Sequence, residues 1–285
     1  MSFERPTTAI TGSTGVVGGL VARELAATGM PLRLLVRDPQ RAPVLERAVA
    51  EQAVYGQPTT ALDGVEVLFM VSASESATRL EEHIAFVDAA AAAGVRHIVY
   101  TSFLGAAADS VFTLGRDHFF TESHIRASGM DFTFLRDAFY LDFMPSMVGD
   151  DGVLRGPAGD GRAAIVARED VARTAARVLE NPAAHLNQTY NLTGPERLTL
   201  EEVAATIEAS TGTPTSFHNE TIDEAYESRK AWNAPSWQVD AWVSTYTAIA
   251  NGDMREVSTD VETITGRPAE SLAGFLSRDN PASRN

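Results

Sequence analysis

A cluster of glycines near the N-terminus constrains the fold of this chain more than any other feature. The segment "AITGSTGVVGGLVARELAATG" places Gly12, Gly15 and Gly18 between a short apolar run and a stretch of helical composition. In a strand–loop–helix unit, such glycines permit a tight turn, a close approach of the backbone to a pyrophosphate, and close packing of helix on strand. A glycine-rich turn without a ligand is the alternative, but the first strand–helix junction of an alternating chain favours a bound dinucleotide. The predicted contacts are Gly12, Ser13, Thr14, Gly15, Val16, Val17 and Gly18.

Apolar runs alternate with helical stretches through the first half of the chain. The predicted strands cover 7–11, 31–36, 65–71, 95–101 and 131–136, and the predicted helices include 15–28, 76–93 and 115–127. This alternation indicates βαβ crossovers and a parallel sheet that is covered on both faces. We therefore predict a Rossmann-type, doubly wound α/β fold, with an NAD(P)-binding domain in residues 1–136.

The rhythm changes after residue 137, where aromatic residues, Met, Gly and Pro become frequent. We predict a smaller, mainly helical substrate lobe in 137–285, continuous with the sheet through strand elements near 163–167 and 188–193. Helices are expected to begin at Asp170 and after Thr199, because Thr199 and Glu202 fit the capping-box pattern.

Composition and charge exclude several classes of function. The 285 residues include 44% apolar residues, which suffices for a large core, and no cysteine, which excludes disulfides and thiolate catalysis. The net charge of −15 opposes binding to nucleic acid. No apolar run reaches the ~18 residues needed to span a membrane, and the N-terminal segment lacks the apolar core of a signal peptide. We expect a soluble, cytoplasmic protein with no nucleic-acid or membrane partner.

Several segments, in their order along the chain, resemble one known family. The G-x-x-G-x-x-G spacing is similar to that of the extended and atypical short-chain dehydrogenases. The segments "LLVRDPQRA", "GVEVLFMVSASES", "AAAAGVRHIVYTSFLGA" and "DHFFTESHIRASGMDFTFLRDAFY" resemble the NmrA-like group, especially its quinone oxidoreductase type 2 and triphenylmethane-dye reductase branch. The resemblance runs from about residue 7 to 276 and implies an NAD(P)H-dependent oxidoreductase that acts on a small molecule.

The end of the second predicted strand indicates which nicotinamide cofactor is bound. An acid at this point holds the 2′-hydroxyl of NAD, whereas an arginine accommodates the 2′-phosphate of NADP. Arg37 occupies the position, so we predict NADP (NADPH). Asp38 follows directly and leaves NAD open, although a turn or cap residue before Pro39 is its favoured role.

Further cofactor contacts are expected at the carboxyl ends of the strands, where open α/β sheets bind their ligands. By resemblance, Tyr55, Gly56 and Gln57 lie near the adenine. At the next strand ends we predict cofactor contacts from Ser72, Ala73, Ser74 and Thr101. The alternative role of these polar residues is ordinary capping of the strand.

The segment "RDHFFTESHI" departs from the pattern of ketone-reducing short-chain dehydrogenases, which carry a serine after the fifth strand and Y-x-x-x-K on the next helix. Ser102 matches the serine, but His118 and Glu122 stand at the tyrosine–lysine spacing. We predict Ser102 and His118 as catalytic, with packing as an equally weighted alternative for His118. Glu122 and His124 are expected to be solvated or structural. No third ligand is visible for a metal at His118 and Glu122, so we predict no metal.

The missing tyrosine–lysine pair limits the chemistry. Reducing an ordinary ketone creates an alkoxide that needs a placed acid, whereas a quinone, an activated enone or a cationic dye accepts hydride with weak assistance. Aromatic residues that suit a flat acceptor follow the strand ends, with core packing as their alternative role. The predicted substrate contacts are Phe103, Phe139, Tyr140 and Phe143.

The predicted function is therefore hydride transfer from NADPH to a quinone or a similar conjugated or aromatic acceptor. Two alternatives stay open: a dinucleotide-sensing regulator without catalysis, and a biosynthetic reductase of one specialised metabolite. A homodimer is likewise open as an alternative to a monomer.

Overall fold

The computed structural model describes residues 7–279. Short strands and longer helices alternate in its first half, as the sequence predicts. The strands are β1 Thr8–Thr11, β2 Leu32–Val36, β3 Ala48–Gln52, β4 Val67–Met70, β5 His97–Phe103, β6 Asp131–Asp137, β7 Val153–Gly156, β8 Gln188–Leu192 and β9 Ser216–Asn219. The helices are α1 Val16–Ala27, α2 Arg79–Ala92, α3 Thr113–Ala127, α4 Arg168–Glu180, α5 Leu200–Thr211, α6 Ile222–Arg229, α7 Ser236–Asn251, α8 Asp260–Thr265 and α9 Leu272–Asp279.

A seven-stranded sheet organises these elements in the order β3-β2-β1-β4-β5-β6-β8. The pairs β1–β2, β1–β4, β2–β3 and β4–β5 are parallel. Chain order reverses between β1 and β4, so the carboxyl ends of these two strands flank the crevice where such sheets bind their ligands. The predicted Rossmann-type, doubly wound fold is confirmed.

The central strands are apolar because both of their faces are covered. Ile10 of β1, Phe69 of β4 and Ile98 of β5 are fully buried. Phe86 of α2 and Phe134 of β6 belong to the same buried region. This packing fixes the strand ends on which the site is built.

The chain forms two compact units. The first consists of Met1–Phe103, Asp117–Arg136 and Val171–Tyr190, as far as the described residues reach. The second consists of Leu104–Arg116, Asp137–Asp170 and Asn191–Asn285, within the same limit. Each unit is therefore assembled from separated stretches of sequence, and the predicted boundary at residue 136 stays a prediction.

Some elements depart from the sequence prediction. Segment 163–167, expected as a strand, forms only isolated bridges at Ala163 and Val166. Its backbone bonds go to different segments, since Ala163 N–H donates to Leu198 and Val166 N–H to Phe139. Strands β3, β7 and β9 were not predicted, whereas the capping box before α5 is confirmed.

Candidate functional site

Each of the three loop glycines has a separate steric reason to lack a side chain. Gly12 adopts φ +66°, a backbone conformation that side chains disfavour. A Cβ on Gly18 would lie 2.5 Å from the carbonyl oxygen of Gly12, so this glycine permits the close packing of α1 on the loop. A Cβ on Gly15 would meet only that same oxygen, at 3.3 Å, and would otherwise face open space. The position beside Gly15 is therefore where a ligand can approach the backbone.

A pocket of about 370 Å³ lies over the loop and the start of α1. Ser13 lines it, and the Ser13 hydroxyl is buried without a hydrogen-bond partner among residues 7–279. Arg23 and Arg41 also line this pocket. The N-terminal end of α1, an unsatisfied hydroxyl and two guanidinium groups supply what phosphate oxygens require, so the site fits a dinucleotide. The sequence reasoning missed Arg23 and Arg41, although Arg41 stands only four residues after Arg37.

The other residues predicted to contact the cofactor near this loop differ in how exposed they are. Thr14 and Val16 are exposed at the start of α1, whereas Val17 is buried beneath them. Arg37 follows β2 and is exposed, and its carbonyl oxygen accepts a hydrogen bond from the side chain of Gln52. Asp38 accepts a hydrogen bond from Gln40 N–H at 3.0 Å, which is the turn role that the sequence favoured. The carboxylate of Asp38 is thus engaged locally, whereas the exposed Arg37 side chain is accessible to a phosphate.

Tyr55 joins the two strand ends at the switch point. Its hydroxyl lies 2.6 Å from the Val71 carbonyl oxygen and 2.8 Å from Thr11 Oγ1. Gly56, at φ +77°, and Gln57 are exposed immediately after it. Their predicted contact with the adenine stays a prediction.

The segment after β4 is held by backbone hydrogen bonds to its neighbours. Ser72 N–H donates to Thr101 Oγ1 at 2.8 Å, and Ala73 N–H donates to His83 Nε2 at 2.8 Å. Ser74 is exposed beyond them. Burial, with the Arg79 charge, lowers the pKa of His83 to about 3, so the imidazole is neutral and serves as an acceptor. The polar side chains of Thr101 and His83 therefore shape this strand end.

His118 lies in a buried network rather than at an open surface. Its side chain is 6% exposed, Arg79 donates to Nε2 at 2.9 Å, and Nδ1 lies 2.9 Å from the Tyr100 hydroxyl. Because arginine can only donate, Nε2 must be the acceptor and Nδ1 carries the proton of the neutral ring. Burial, followed by the charge of Arg79, lowers the pKa of His118 well below its usual value. Asp117 accepts a second bond from Arg79, at 3.2 Å.

Ser102 is engaged in a second buried network. Its hydroxyl donates to Glu122 Oε1 at 2.6 Å, and the same carboxylate accepts two hydrogen bonds from Arg136, at 2.8 and 2.7 Å. Glu122 is fully buried, so of the two expected roles, solvated or structural, this geometry agrees with the structural one. His124 lies at the surface and contacts Asp88 at 2.7 Å.

These two networks occupy the positions where the resemblance places an acid. A ring that stays neutral, with both nitrogens bonded, has no proton to offer a substrate, and the Ser102 hydroxyl already donates to Glu122. The geometry disfavours His118 as the general acid and favours its structural alternative. The catalytic roles of His118 and Ser102 stay predictions.

The predicted aromatic contacts lie in both units. Phe103 of the first unit stacks near His118, with ring centroids 6.0 Å apart. In the second unit, the ring centroid of Phe143 lies 6.0 Å from that of Tyr140 and 6.4 Å from that of Phe139. Phe139, with Met144 and Met147, also lines an enclosed apolar space of about 10 Å³. A space this small is a gap between packed side chains, so Phe139 lies in a packed environment. Phe143 is the exposed member of this group, whereas Phe103, Phe139 and Tyr140 are half-buried.

Residues 7–279 contain neither a membrane-spanning helix nor a cluster of metal-ligating side chains. No helix there combines the length and apolarity that crossing a membrane requires. In the same part of the chain, no group of three or more His, Asp or Glu side chains is arranged to hold a metal ion.

The sheet order and the glycine loop at its switch point define a Rossmann-fold protein of the nucleotide-binding class. The chain belongs to the NmrA-like family, whose model matches residues 4–229. It is 33% identical over 280 residues to quinone oxidoreductase 2 of Escherichia coli, covering 94% of this chain and 97% of that protein. It is 30% identical over 274 residues to an NAD(P)H azoreductase of Xenophilus azovorans, covering 93% and 95% of the two chains.

Solved structures share the fold as well. The structure of the Escherichia coli NADPH-dependent quinone oxidoreductase in complex with NADPH aligns with a TM-score of 0.87 and 32% sequence identity. The alignment covers 95% of this chain and 99% of that one.

Proposed function

We propose that this protein is an NADPH-dependent oxidoreductase that transfers hydride to a quinone or a similar conjugated or aromatic acceptor. The observation that carries the proposal is the pair of buried networks at the tyrosine–lysine positions. The Ser102 hydroxyl is bonded to Glu122, and the two ring nitrogens of His118 are bonded to Arg79 and Tyr100. These residues therefore offer no free acid of the kind that ketone reduction needs. The names and the bound cofactor of the relatives support the reductase class.

The glycine loop and the arginines would hold the cofactor. The open backbone beside Gly15, at the start of α1, and the Ser13 hydroxyl suit the pyrophosphate, while Arg37 and Arg41 suit the 2′-phosphate. When bound, NADPH supplies the hydride. Ser72, Ala73, Ser74 and Thr101 would border its ribose, and Gly56 and Gln57 its adenine.

The networks around Ser102 and His118 would position the acceptor side of the site rather than supply protons. They tie β5 to α3 through Ser102–Glu122 and Tyr100–His118, so they hold the end of β5 against that helix. Phe103, Phe139, Tyr140 and Phe143 would present aromatic surface to a flat acceptor.

Turnover of a panel of acceptors tests the proposed function. We expect NADPH oxidation with quinones and azo dyes, and rates at least about 10²-fold lower with simple aliphatic ketones, because a simple ketone has no conjugation to stabilise the charge that hydride leaves behind and needs an acid at the tyrosine position. The measurement is loss of absorbance of NADPH under identical conditions for every acceptor. Equal rates with ketones and quinones would contradict the acceptor class, and no oxidation with any acceptor despite NADPH binding would favour the regulatory alternative.

Substitution of the two arginines tests the choice of NADPH over NADH. We expect the Arg37→Ala, Arg41→Ala double variant to bind NADPH at least about 10²-fold more weakly, since each bond to a charged group contributes about 1.5–3 kcal/mol and two are lost. Affinity for NADH should change little, because NADH lacks the 2′-phosphate. Arg96→Ala, which removes an exposed arginine paired with Glu66, is the control for a general loss of charge. A parallel loss for both cofactors would place the 2′-phosphate elsewhere.

A further inference from the structure

Asp137 is a buried carboxyl group for which hydride transfer itself provides no role. It ends β6 and is 2% exposed. Oδ2 accepts a hydrogen bond from the Tyr140 hydroxyl at 2.7 Å, whereas Oδ1 is buried with no hydrogen-bond partner in residues 7–279. Nor does any cation in that part of the chain pair with it. We propose that Asp137 stores the proton that the reduced acceptor takes up and delivers it through the Tyr140 hydroxyl, an inference that rests on the proposed function.

The surroundings of Asp137 favour the protonated form. An unpaired carboxylate in a buried position is costly, whereas a neutral carboxyl group avoids that cost. Burial raises the pKa of Asp137 to about 8, although the hydrogen bond from Tyr140 acts in the opposite direction. Arg168 and Asp142 face Tyr140, and they pair with each other at 3.0 Å. Asp137 therefore carries a proton at neutral pH.

Tyr140 needs Asp137 to replace any proton that its hydroxyl gives up. Burial and the neighbouring Asp137 raise the pKa of Tyr140 well above its usual value, so a free phenolate is strongly disfavoured. A proton that leaves this hydroxyl must be replaced as it leaves. When the Tyr140 hydrogen is directed to an acceptor, the neutral carboxyl group can donate from Oδ2 to the phenol oxygen across the same 2.7 Å contact.

Reduction of a quinone consumes one hydride and one proton. NADPH is oxidised to NADP⁺, the quinone is reduced, and one product oxygen takes a proton. In the proposed relay, the Tyr140 O–H bond breaks as the product O–H bond forms. The carboxyl O–H bond of Asp137 breaks as the Tyr140 O–H bond is restored, and the resulting carboxylate recovers its proton from water through the half-buried Tyr140 side chain.

The neighbouring aromatic surface suits the same acceptor. Phe143 is 40% exposed, and its ring centroid lies 6.0 Å from that of Tyr140. A flat conjugated molecule against this surface would have a carbonyl oxygen beside the donating hydroxyl. The Asp137–Tyr140 pair is thus a proton source for the acceptors that the proposed function names.

The pH dependence of kcat tests the relay. We expect wild-type kcat with a quinone to fall above about pH 8, as Asp137 loses its proton. Asp137→Asn preserves size but cannot release a proton, so its kcat should be about 10²-fold lower at pH 7 and flat through pH 8. Tyr140→Phe should be similarly slow. Asp151→Asn, which alters an exposed aspartate of the same unit, should behave like the wild type.

A second measurement needs no turnover. Between the unfolded pKa near ~4 and the folded pKa near 8, the folded chain retains a proton on Asp137 that the unfolded chain has lost. This term makes the free energy of unfolding fall as pH rises, so wild type and Asp137→Asn should differ in slope by one proton across that window. An equal slope would overturn the stored proton. If the wild type is active and Asp137→Asn has the same pH profile of kcat as the wild type, the relay alone is overturned. If the wild type reduces no acceptor, the proposed function is overturned and the relay with it.

Discussion

Replacing Gly15 with valine is expected to abolish NADPH binding while the chain keeps its fold. Gly15 adopts φ −93°, which valine accepts without strain, and its Cβ would meet only the Gly12 carbonyl oxygen, at 3.3 Å. The branched side chain would then fill the space through which the pyrophosphate approaches the loop N–H groups. Loss of two such bonds, at about 1.5–3 kcal/mol each, corresponds to a decrease in affinity of at least about 10²-fold.

The experiment is a titration of NADPH, with circular dichroism and thermal unfolding to verify the fold. Ala27→Val places the same side chain at the exposed far end of α1 and is the matched control. Undiminished binding by a folded Gly15→Val variant would show that the phosphates lie elsewhere.

Replacing Glu122 with alanine is expected to lower the free energy of unfolding by about 3–5 kcal/mol, which is typical of breaking a buried ion pair. The fully buried carboxylate accepts two bonds from Arg136 and one from the Ser102 hydroxyl. Its removal leaves a guanidinium group, itself about three-quarters buried, without its main acceptor. Glu122→Gln, which keeps the shape but not the charge, should lose less.

Urea unfolding measures this effect directly. Glu66→Ala removes an exposed glutamate that pairs with Arg96, and this control should change stability by no more than about 1 kcal/mol. Similar losses for Glu66→Ala and Glu122→Ala would contradict a structural role for the Ser102–Glu122–Arg136 network. The acceptor panel should be repeated on folded Glu122→Gln, because a positioning network predicts altered KM for the acceptor with unaltered NADPH affinity.

The fold of the first half was predictable because its signals are local. Apolar runs of strand length, such as 65–71, alternate with helical stretches, and this spacing alone indicates crossovers onto one sheet. The loop glycines are equally local, since the turn at Gly12 and the packing at Gly18 follow from their place between β1 and α1. Arg37 could be singled out for the same reason, as it ends the second strand of such a unit.

Strands without an apolar run were missed. β3 has the sequence AVAEQ and is half exposed, so it becomes a strand only because β2 offers it a partner. β7 and β9 pair with each other across some sixty residues, with Val153 opposite Ser216. Segment 163–167 looks equally suitable but has no single partner strand. Backbone pairing is a property of two segments, and the pattern of one cannot determine it.

The chemistry of the site likewise depends partly on local patterns and partly on contacts between distant segments. Local patterns were enough to identify the glycine loop, the arginine after β2 and the absence of a tyrosine–lysine pair. Packing between distant segments was needed to show that burial, and then the charge of Arg79, thirty-nine residues away, lowers the pKa of His118. Packing likewise showed that Asp137 is buried with no cation paired to it in residues 7–279. A pKa depends on desolvation and on charges that act through space, and both arise only when distant segments pack together.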